Sequence, residues 1–369
     1  QYVTPTNGEP LSGLVASWGR DHNLGKFVDY METVMYSTPP SKDPAKNLSL
    51  VLAPAPSVVT TTSTTTPPGP STTNEVPTTT IFVPPAPVAI QPLIAPALQG
   101  EGTWVPIARA GGQDAIWATS LRPLPEFGGV VASMAVIDQT YLRVGMFNGS
   151  DVPGGSWARG DRVPTELYGS LVAAFNGGFR FEHIKGGYFT EGKTVKELRD
   201  GDATLAVGRD HRLALGVYGR DFTKDDGWWV SMRQNLILLV ENGQSQVQHG
   251  IDIGVWWGAD YGDKVYVARS AVCLMHDGRL AYAMVAEVDA TQLAQSLINM
   301  GCKSAIQLDI NGSWPSFHSF QPSTDGAPIP HLLDGRMKAP LRRGLEGSRK
   351  DFFAFFDSSL VPPHSVLDA

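Results

Sequence analysis

Ala305-Ile306-Gln307-Leu308-Asp309-Ile310-Asn311-Gly312-Ser313-Trp314-Pro315-Ser316-Phe317 is the stretch that decides how this chain is read. An apolar run stops at a single carboxylate, Asp309, and the turn-forming residues Asn311, Gly312 and Ser313 follow at once. An apolar run bounded by turn chemistry reads as a buried strand. A carboxylate at the exit of such a strand is held rigidly by the sheet, beside a loop whose backbone can approach a ligand closely. The plainer alternative is that Asp309 only caps the turn through its own backbone, as Asx side chains commonly do. A second segment repeats the grammar: Leu171-Val172-Ala173-Ala174-Phe175 runs into Asn176-Gly177-Gly178-Phe179. Two strand exits of one type point to one shared site.

Around these segments the chain has 369 residues, 42% hydrophobic and 18% charged, the proportions of a globular core with a lightly charged surface. A formal net charge of -7 and the lack of any basic run argue against nucleic acid as the main partner. No apolar stretch is long enough to span a bilayer. The chain starts at Gln1 with no signal peptide, which is expected of a processed product whose targeting segment and membrane anchor are missing. Cys273 and Cys302 either pair, as in an exported protein, or stay as buried thiols behaving like small hydrophobes. Neither has a His or Cys at ligand spacing, so no metal site is expected.

Composition divides the chain into a short helical segment (1–50), an extended Pro/Thr-rich linker (51–99), one large domain (100–357) and a C-terminal tail (358–369). Within the first, residues 11–35 carry apolar positions three or four apart. They need a partner: the main domain, another subunit through self-association, another protein, or a membrane surface. The linker holds Thr60 to Thr66 followed by Pro67-Pro68-Gly69-Pro70, which favours extended conformations and suits a spacer through a cell wall. Its second half, with Ile81-Phe82-Val83 and Val88-Ala89-Ile90, is too apolar for a free linker and is expected along a surface groove. In the domain, strand-like runs alternate with turns such as Asn242-Gly243 and Asp277-Gly278. They lie at 130–138, 141–146, 204–207, 214–218, 236–241, 265–275 and 280–286. One helix is legible from Asp289 to Met300, with Asp289 or Thr291 as N-cap and Gly301 as its stop. The fold class is α+β: a strand-rich mixed sheet domain with few helices.

Ala174-Phe175-Asn176-Gly177-Gly178-Phe179, Val267-Ala268-Arg269-Ser270-Ala271-Val272, His276-Asp277-Gly278-Arg279-Leu280, the helix and Leu308-Asp309-Ile310-Asn311-Gly312-Ser313 occur in that order. In order and spacing the chain resembles the phosphodiester glycosidase family from about Trp104 to Asp357, most strongly from Leu171 to Phe317. The N-terminal region and linker resemble those of membrane-anchored members from bacterial cell envelopes. The resemblance implies a hydrolase acting on a sugar-1-phosphodiester or related envelope glycan. Asp309 would then be nucleophile, base for water, or stabiliser of an oxocarbenium-like transition state. Arg269 would hold the phosphate, since a guanidinium fork matches phosphate oxygens. Asn176 with Gly177 and Gly178, and Asn311 with Gly312 and Ser313, would shape the substrate pocket.

The chain also departs from the family. Ile310 and Asn311 stand where consecutive glycines usually follow the aspartate, and Val285-Ala286-Glu287-Val288-Asp289 replaces a second acidic motif. Glu287 is the candidate for the lost carboxylate, because glycosidases ordinarily set two carboxylates across the scissile bond. The departure keeps two other readings open: a non-catalytic glycan-binding or envelope-scaffold protein, and transfer to an acceptor other than water. Oxygen ligands near Asp309 suit Mg²⁺ or Ca²⁺, though nothing in the spacing requires a cation. Trp228-Trp229 and Trp256-Trp257 lie near loops, where indoles serve either as packing or as sugar platforms.

Overall fold

The computed structural model describes residues 37–48, 82–258 and 265–369, together with Leu24. The helical pattern at 11–35 and most of the Pro/Thr-rich run fall outside them.

Segments of β-branched, aromatic and small apolar residues form three sheets. The first has β1 (Val105–Ala110), β2 (Gln113–Leu121) and β3 (Ala132–Ile137), joined by β11 (Val240–Glu241), β12 (Gln244–Ser245), β13 (Val267–Met275), β14 (Leu280–Val288) and β15 (Cys302–Ile310). Its order is β1-β2-β3-β14-β13-β15-β11-β12. The second comprises β6 (Tyr188–Thr190), β7 (Lys193–Lys196), β8 (Ala203–Gly208), β9 (Leu213–Val217) and β10 (Trp229–Gln234), ordered β7-β6-β10-β8-β9. The third comprises β4 (Leu142–Phe147), β5 (Leu171–Asn176), β16 (Phe317–Gln321), β17 (Ile329–Leu332) and β18 (Phe352–Asp357), ordered β17-β16-β5-β18-β4.

One face of the first sheet meets the other two sheets in a shared core. Ile116, Tyr282, Ile306 and Leu308 pack there with Phe175, Phe353 and Phe355 of the third sheet and Leu205 and Val207 of the second. Phe175 sits at its centre, with ring centroids 5.5 Å from Tyr282, 5.4 Å from Phe353 and 5.6 Å from Phe355. The opposite face of the first sheet is lined by small residues, Ala271, Ala281, Ala283 and Ala305. They let a helix lie close, and Leu293, Ala294 and Leu297 of α2 (Ala290–Asn299) fill that layer. Each buried leucine contributes roughly 1.5–3 kcal/mol.

A short helix α1 (Val247–Asp252) precedes β13, and α2 (Ala290–Asn299) carries the chain from β14 over β13 to β15. Asp289 is the N-cap of α2: its carboxylate accepts from the Gln292 backbone while the Gln292 side chain accepts from the Asp289 backbone. This capping box lets the helix begin directly at the end of β14. The run 236–241 is a strand only at Val240–Glu241, because Leu236 sits in the left-handed region at φ 71° and breaks the extended backbone.

Residues 82–98 lie against the domain. Trp104 Nε1 donates to Val88 O at 2.9 Å, Tyr141 Oη to Phe82 O at 2.6 Å, and Arg279 Nη1 to Pro85 O at 2.9 Å. Arg122 donates to Ile94 O and Pro96 O at 2.9 and 2.8 Å while paired with buried Glu101 at 2.7 Å. A second strip, residues 37–48, packs on the loop before β3. An added Cβ on Gly129 would come within 2.8 Å of Ser41, so that contact requires glycine.

Cys273 on β13 and Cys302 on β15 form a disulfide with 29 residues of sequence separation. A loop of that length corresponds to about 3.5 kcal/mol of denatured-state entropy. Denaturant titration of the Cys273→Ala/Cys302→Ala variant is expected to show a loss of that order, and a loss below about 1 kcal/mol would contradict it.

His318 on β16 is buried with its Nε2 3.2 Å from Pro340 O. Burial first, then neighbouring Arg343, lower its pKa to about 3. The unfolded chain therefore binds a proton near pH 6.5 that the folded chain refuses. Stability is expected to fall as pH drops from about 6.5 toward 3. A His318→Gln variant should show a flatter stability profile across that window.

Candidate active site at the exits of two strands

A β-bulge sets the direction of Asp309. Across the β13–β15 ladder Ala271 faces Gln307 and Arg269 faces Ile310, so Leu308 and Asp309 together oppose Ser270. The extra residue breaks the two-residue alternation that would have kept Asp309 on the side of Ala305 and Gln307. Its carboxylate turns instead to Lys350, just before β18, whose Nζ donates to Asp309 Oδ2. Both side chains are buried, at 4% and 5% exposed. The turn that follows is capped by another residue: Asn311, at φ 72°, accepts the Ser313 N–H on its own Oδ1 at 3.1 Å. Asp309 is therefore no turn cap.

The next residue in the chain carries the opposite charge. Asp351 is buried and pairs with Arg233 of β10 at 3.0 Å. Arg233 spends its other donors on Phe179 O and Gln234 O and lies over the rings of Phe181 and Tyr188 at 5.4 and 5.6 Å. Four charges are thus taken out of water side by side. Burial drives the Asp309 pKa upward, Lys350 opposes that rise, and Asp351 adds to it. Burial likewise drives the Lys350 pKa downward against the pull of Asp309.

Asn176 clamps the two strand exits together. Its Oδ1 accepts from Tyr282 Oη at 3.0 Å and from Ser316 N at 2.9 Å. Its Nδ2 donates to Ser270 Oγ at 3.2 Å, and Ser270 Oγ donates to Asp309 O at 2.8 Å. A further bond to Gly177 O at 2.9 Å uses the remaining amide hydrogen. Gly177 and Gly178 are required by protein atoms. An added Cβ would stand 2.0 Å from Asp351 Oδ2 at the first and 2.7 Å from Asn235 Oδ1 at the second. Gly312 is confined by Lys338, whose Cδ would be 3.1 Å from an added Cβ.

Trp314, half-buried in the loop after Asp309, gathers cations. Lys350 Nζ lies 4.7 Å from its ring centre, and the Arg343 and Arg180 guanidinium carbons lie at 5.3 and 6.0 Å. Arg343 also fixes this loop, donating to Ser313 O at 2.8 Å and Trp314 O at 3.2 Å. Arg180 follows the Asn176-Gly177-Gly178-Phe179 exit. Its ion pairs to Asp151 and Glu182 are long, 3.6 and 3.7 Å, and its Nη2 has no hydrogen-bond partner among the described residues.

Two expected residues are placed elsewhere. Arg269, expected to hold phosphate, is fully buried on the helix side of the sheet. It donates to Val288 O and Trp257 O at 2.8 Å, Val265 O at 3.1 Å and Gln307 Oε1 at 3.3 Å. Such a guanidinium ties loops to the sheet and presents no donor to a ligand. Glu287 is exposed on a bulge of β14, at φ 57°, where Ala286 and Glu287 together oppose Ala268. The strand β13 separates it from Asp309. The second carboxylate beside Asp309 is Asp351.

Sequence reading also passes over Lys350, Asp351, Arg233, Arg180 and Trp314. Arg180 and Trp314 adjoin the two quoted motifs and could have been taken with them. Lys350, Asp351 and Arg233 lie in unremarkable local sequence, and only strand pairing brings them in. Among the described residues no three His, Cys, Asp or Glu side chains gather as a metal-ligand group. A surface cavity of about 320 Å³ lies at the other end of β13 and β15, lined by Arg220, Glu241, Leu274, Lys303 and Ser304.

Residues 169–327 match the family model of phosphodiester glycosidase. That span contains both strand exits, Arg180, Asp309 and Trp314. No curated protein matches the chain. Among solved structures, it is similar to the catalytic domain of zebrafish N-acetylglucosamine-1-phosphodiester alpha-N-acetylglucosaminidase, auto-inhibited by its pro-peptide. Identity there is 17%, the match covers 67% of this chain and 86% of that one, and the TM-score is 0.44. It is also similar to a hypothetical protein from Synechocystis at 11% identity, covering 69% of this chain and 64% of that one, with a TM-score of 0.41.

Removing one member of the buried pair leaves the other charge uncompensated. Lys350→Met is expected to destabilise the protein by about 3–5 kcal/mol in urea unfolding. Adding Asp309→Leu should restore part of that loss, and strict additivity of the two would refute the pairing.

Proposed function

We propose, taking residues 169–327 as a phosphodiester glycosidase segment, that this chain is a glycan-processing hydrolase cleaving a sugar-1-phosphodiester or a related glycosidic bond of the cell envelope. The observation that carries the reading is the joining of the matched segment's two strand exits at Asp309, through Asn176 and Ser270, with three cations around Trp314 alongside.

The chemistry follows from the charges. Water adds to the anomeric carbon, the bond from that carbon to the phosphate oxygen breaks, and the phosphate departs as a monoester. A phosphate leaving group has a low pKa, so the reaction depends less on a strong general acid than ordinary glycoside hydrolysis does. Positive charge on the sugar in the transition state calls for a nearby carboxylate, which is the role of Asp309. Negative charge on the leaving phosphate calls for cations, and Arg180, Arg343 and Lys350 supply them. Asp351 holds Arg233 and keeps the site's acidic partner in place.

Location outside the cytoplasm is part of the proposal. The Cys273–Cys302 disulfide is of a kind that persists in oxidising compartments. The Pro/Thr-rich run suits a spacer from a membrane anchor. Among the described residues no helix is long and apolar enough to cross a membrane.

A second reading, glycan binding without cleavage, is favoured by one observation: Asp309 is only 3% exposed and already engaged by Lys350. Release of reducing sugar from a panel of sugar-1-phosphodiesters separates the two. Turnover is expected, with Asp309→Asn reducing kcat on the order of 10²–10⁴-fold when assayed where circular dichroism shows the variant folded, its unfolding midpoint being lowered by the uncompensated Lys350. Arg180→Gln should reduce kcat/KM by roughly 10–100-fold, the worth of a charge-assisted hydrogen bond. If Asp309 works as a carboxylate, activity rises with pH through its elevated pKa, so the acid limb should lie above the ordinary carboxylate range. Glycan binding by calorimetry without turnover on any member would establish the second reading instead.

A further inference from the structure

The adjacent tryptophans Trp256 and Trp257 have different surroundings. Trp257 is 1% exposed, donates from Nε1 to Val247 O at 3.2 Å, and belongs to the core beneath α2. Trp256 is half-buried and its ring lies 5.7 Å from that of His183, tilted by 50°. His183 closes the 3-10 turn Phe181–His183, which continues directly from Arg180. One short segment leaving β5 therefore meets Trp314 through Arg180 and Trp256 through His183. Lys196 makes that segment rigid: its Nζ donates to Phe181 O at 2.9 Å and Ile184 O at 2.6 Å, on either side of His183.

Gly258 ties this stretch of chain to both strand exits. An added Cβ there would stand 2.5 Å from Ile310 Cδ1 and 3.2 Å from Phe179 Cζ, so the chain touches both strand exits at this point. Trp256 is two residues before it, at most about 7 Å along the backbone. That is roughly one sugar ring from the point where the chain meets both strand exits.

The two indoles also differ in charge. Three cations face Trp314, whereas no Lys or Arg side chain of the described residues lies over Trp256. Exposed Ile253 lies on the same stretch of chain. A cationic wall suits the phosphate, and a neutral indole suits the apolar face of a sugar.

We infer that Trp256, positioned with His183, is a subsite for a second sugar unit, apart from the cations around Trp314 that take the phosphate. The substrate is then an oligosaccharide 1-phosphodiester, and cleavage releases at least a disaccharide. This rests on the assignment of Asp309 as the reaction centre.

The test compares kcat/KM on the methyl phosphodiesters of N-acetylglucosamine and of its β-1,4-linked disaccharide. Wild type is expected to prefer the disaccharide by about tenfold, the worth of one stacked ring. Trp256→Ala should abolish that preference, and Trp256→Phe should keep about a third of it. Trp228→Ala, a tryptophan 46% exposed at another loop, should retain it in full. Equal rates on the two substrates in wild type, or an undiminished preference in Trp256→Ala and Trp256→Phe, overturns the subsite. If wild type turns over neither substrate, the hydrolase reading has failed, and titration calorimetry with the free disaccharide then decides the subsite. Binding lost in Trp256→Ala supports it; no binding, or binding indifferent to the substitution, overturns it.

Discussion

Removing four charges from water at one point constrains everything else in this site. Lys350 and Asp351 are neighbours in sequence, and the turn into β18 sends one to Asp309 and the other to Arg233. Desolvating an ion costs several kcal/mol, and only close pairing with further hydrogen bonds offsets it. The strands that carry the charges must therefore arrive in register. Asp309 comes from the first sheet, Arg233 from the second, and Lys350 and Asp351 from the start of a strand in the third. The cluster is where the three sheets are keyed to one another.

Around it, small deviations from regular structure do the positioning. The bulge at Leu308–Asp309 turns the carboxylate out of the helix-covered face, and that at Ala286–Glu287 sits on the other side of β13. Gly177 admits Asp351 where any side chain would collide with it. The same glycine pair that invites a ligand-binding reading is accounted for by protein atoms. Asn176 likewise uses its whole amide on neighbouring elements, so its part in a site is to hold two loops at a fixed separation.

A buried carboxylate with an elevated pKa, tied to a lysine that lies over a tryptophan ring, is a poised arrangement. The sheets beneath set where the carboxylate stands, and the loops bearing Arg180 and Trp314 flank its lysine partner.

Sequence by itself determined what local chemistry dictates. Apolar runs with turn residues marked β5, β8, β9, β13, β14 and β15. Asp289 or Thr291 at one end and Gly301 at the other bounded α2, and the two motif-bearing exits were legible as strand ends because an apolar run meeting Asn-Gly has few other conformations. The order of those motifs was enough for the family resemblance that the match over 169–327 supports. Tertiary structure alone decided the partners. Arg269 and Asp309 lie on adjacent strands, and alternation with one inserted residue sends their side chains to opposite faces. The guanidinium is thus a buried tie, and the carboxylate the partner of Lys350. Lys350 and Arg233 reach the cluster from more than forty residues along the chain in either direction, through pairings that no local pattern encodes. Whether a charge is solvated or buried, and beside what, depends on how sheets stack, and that is fixed by the sum of distant contacts.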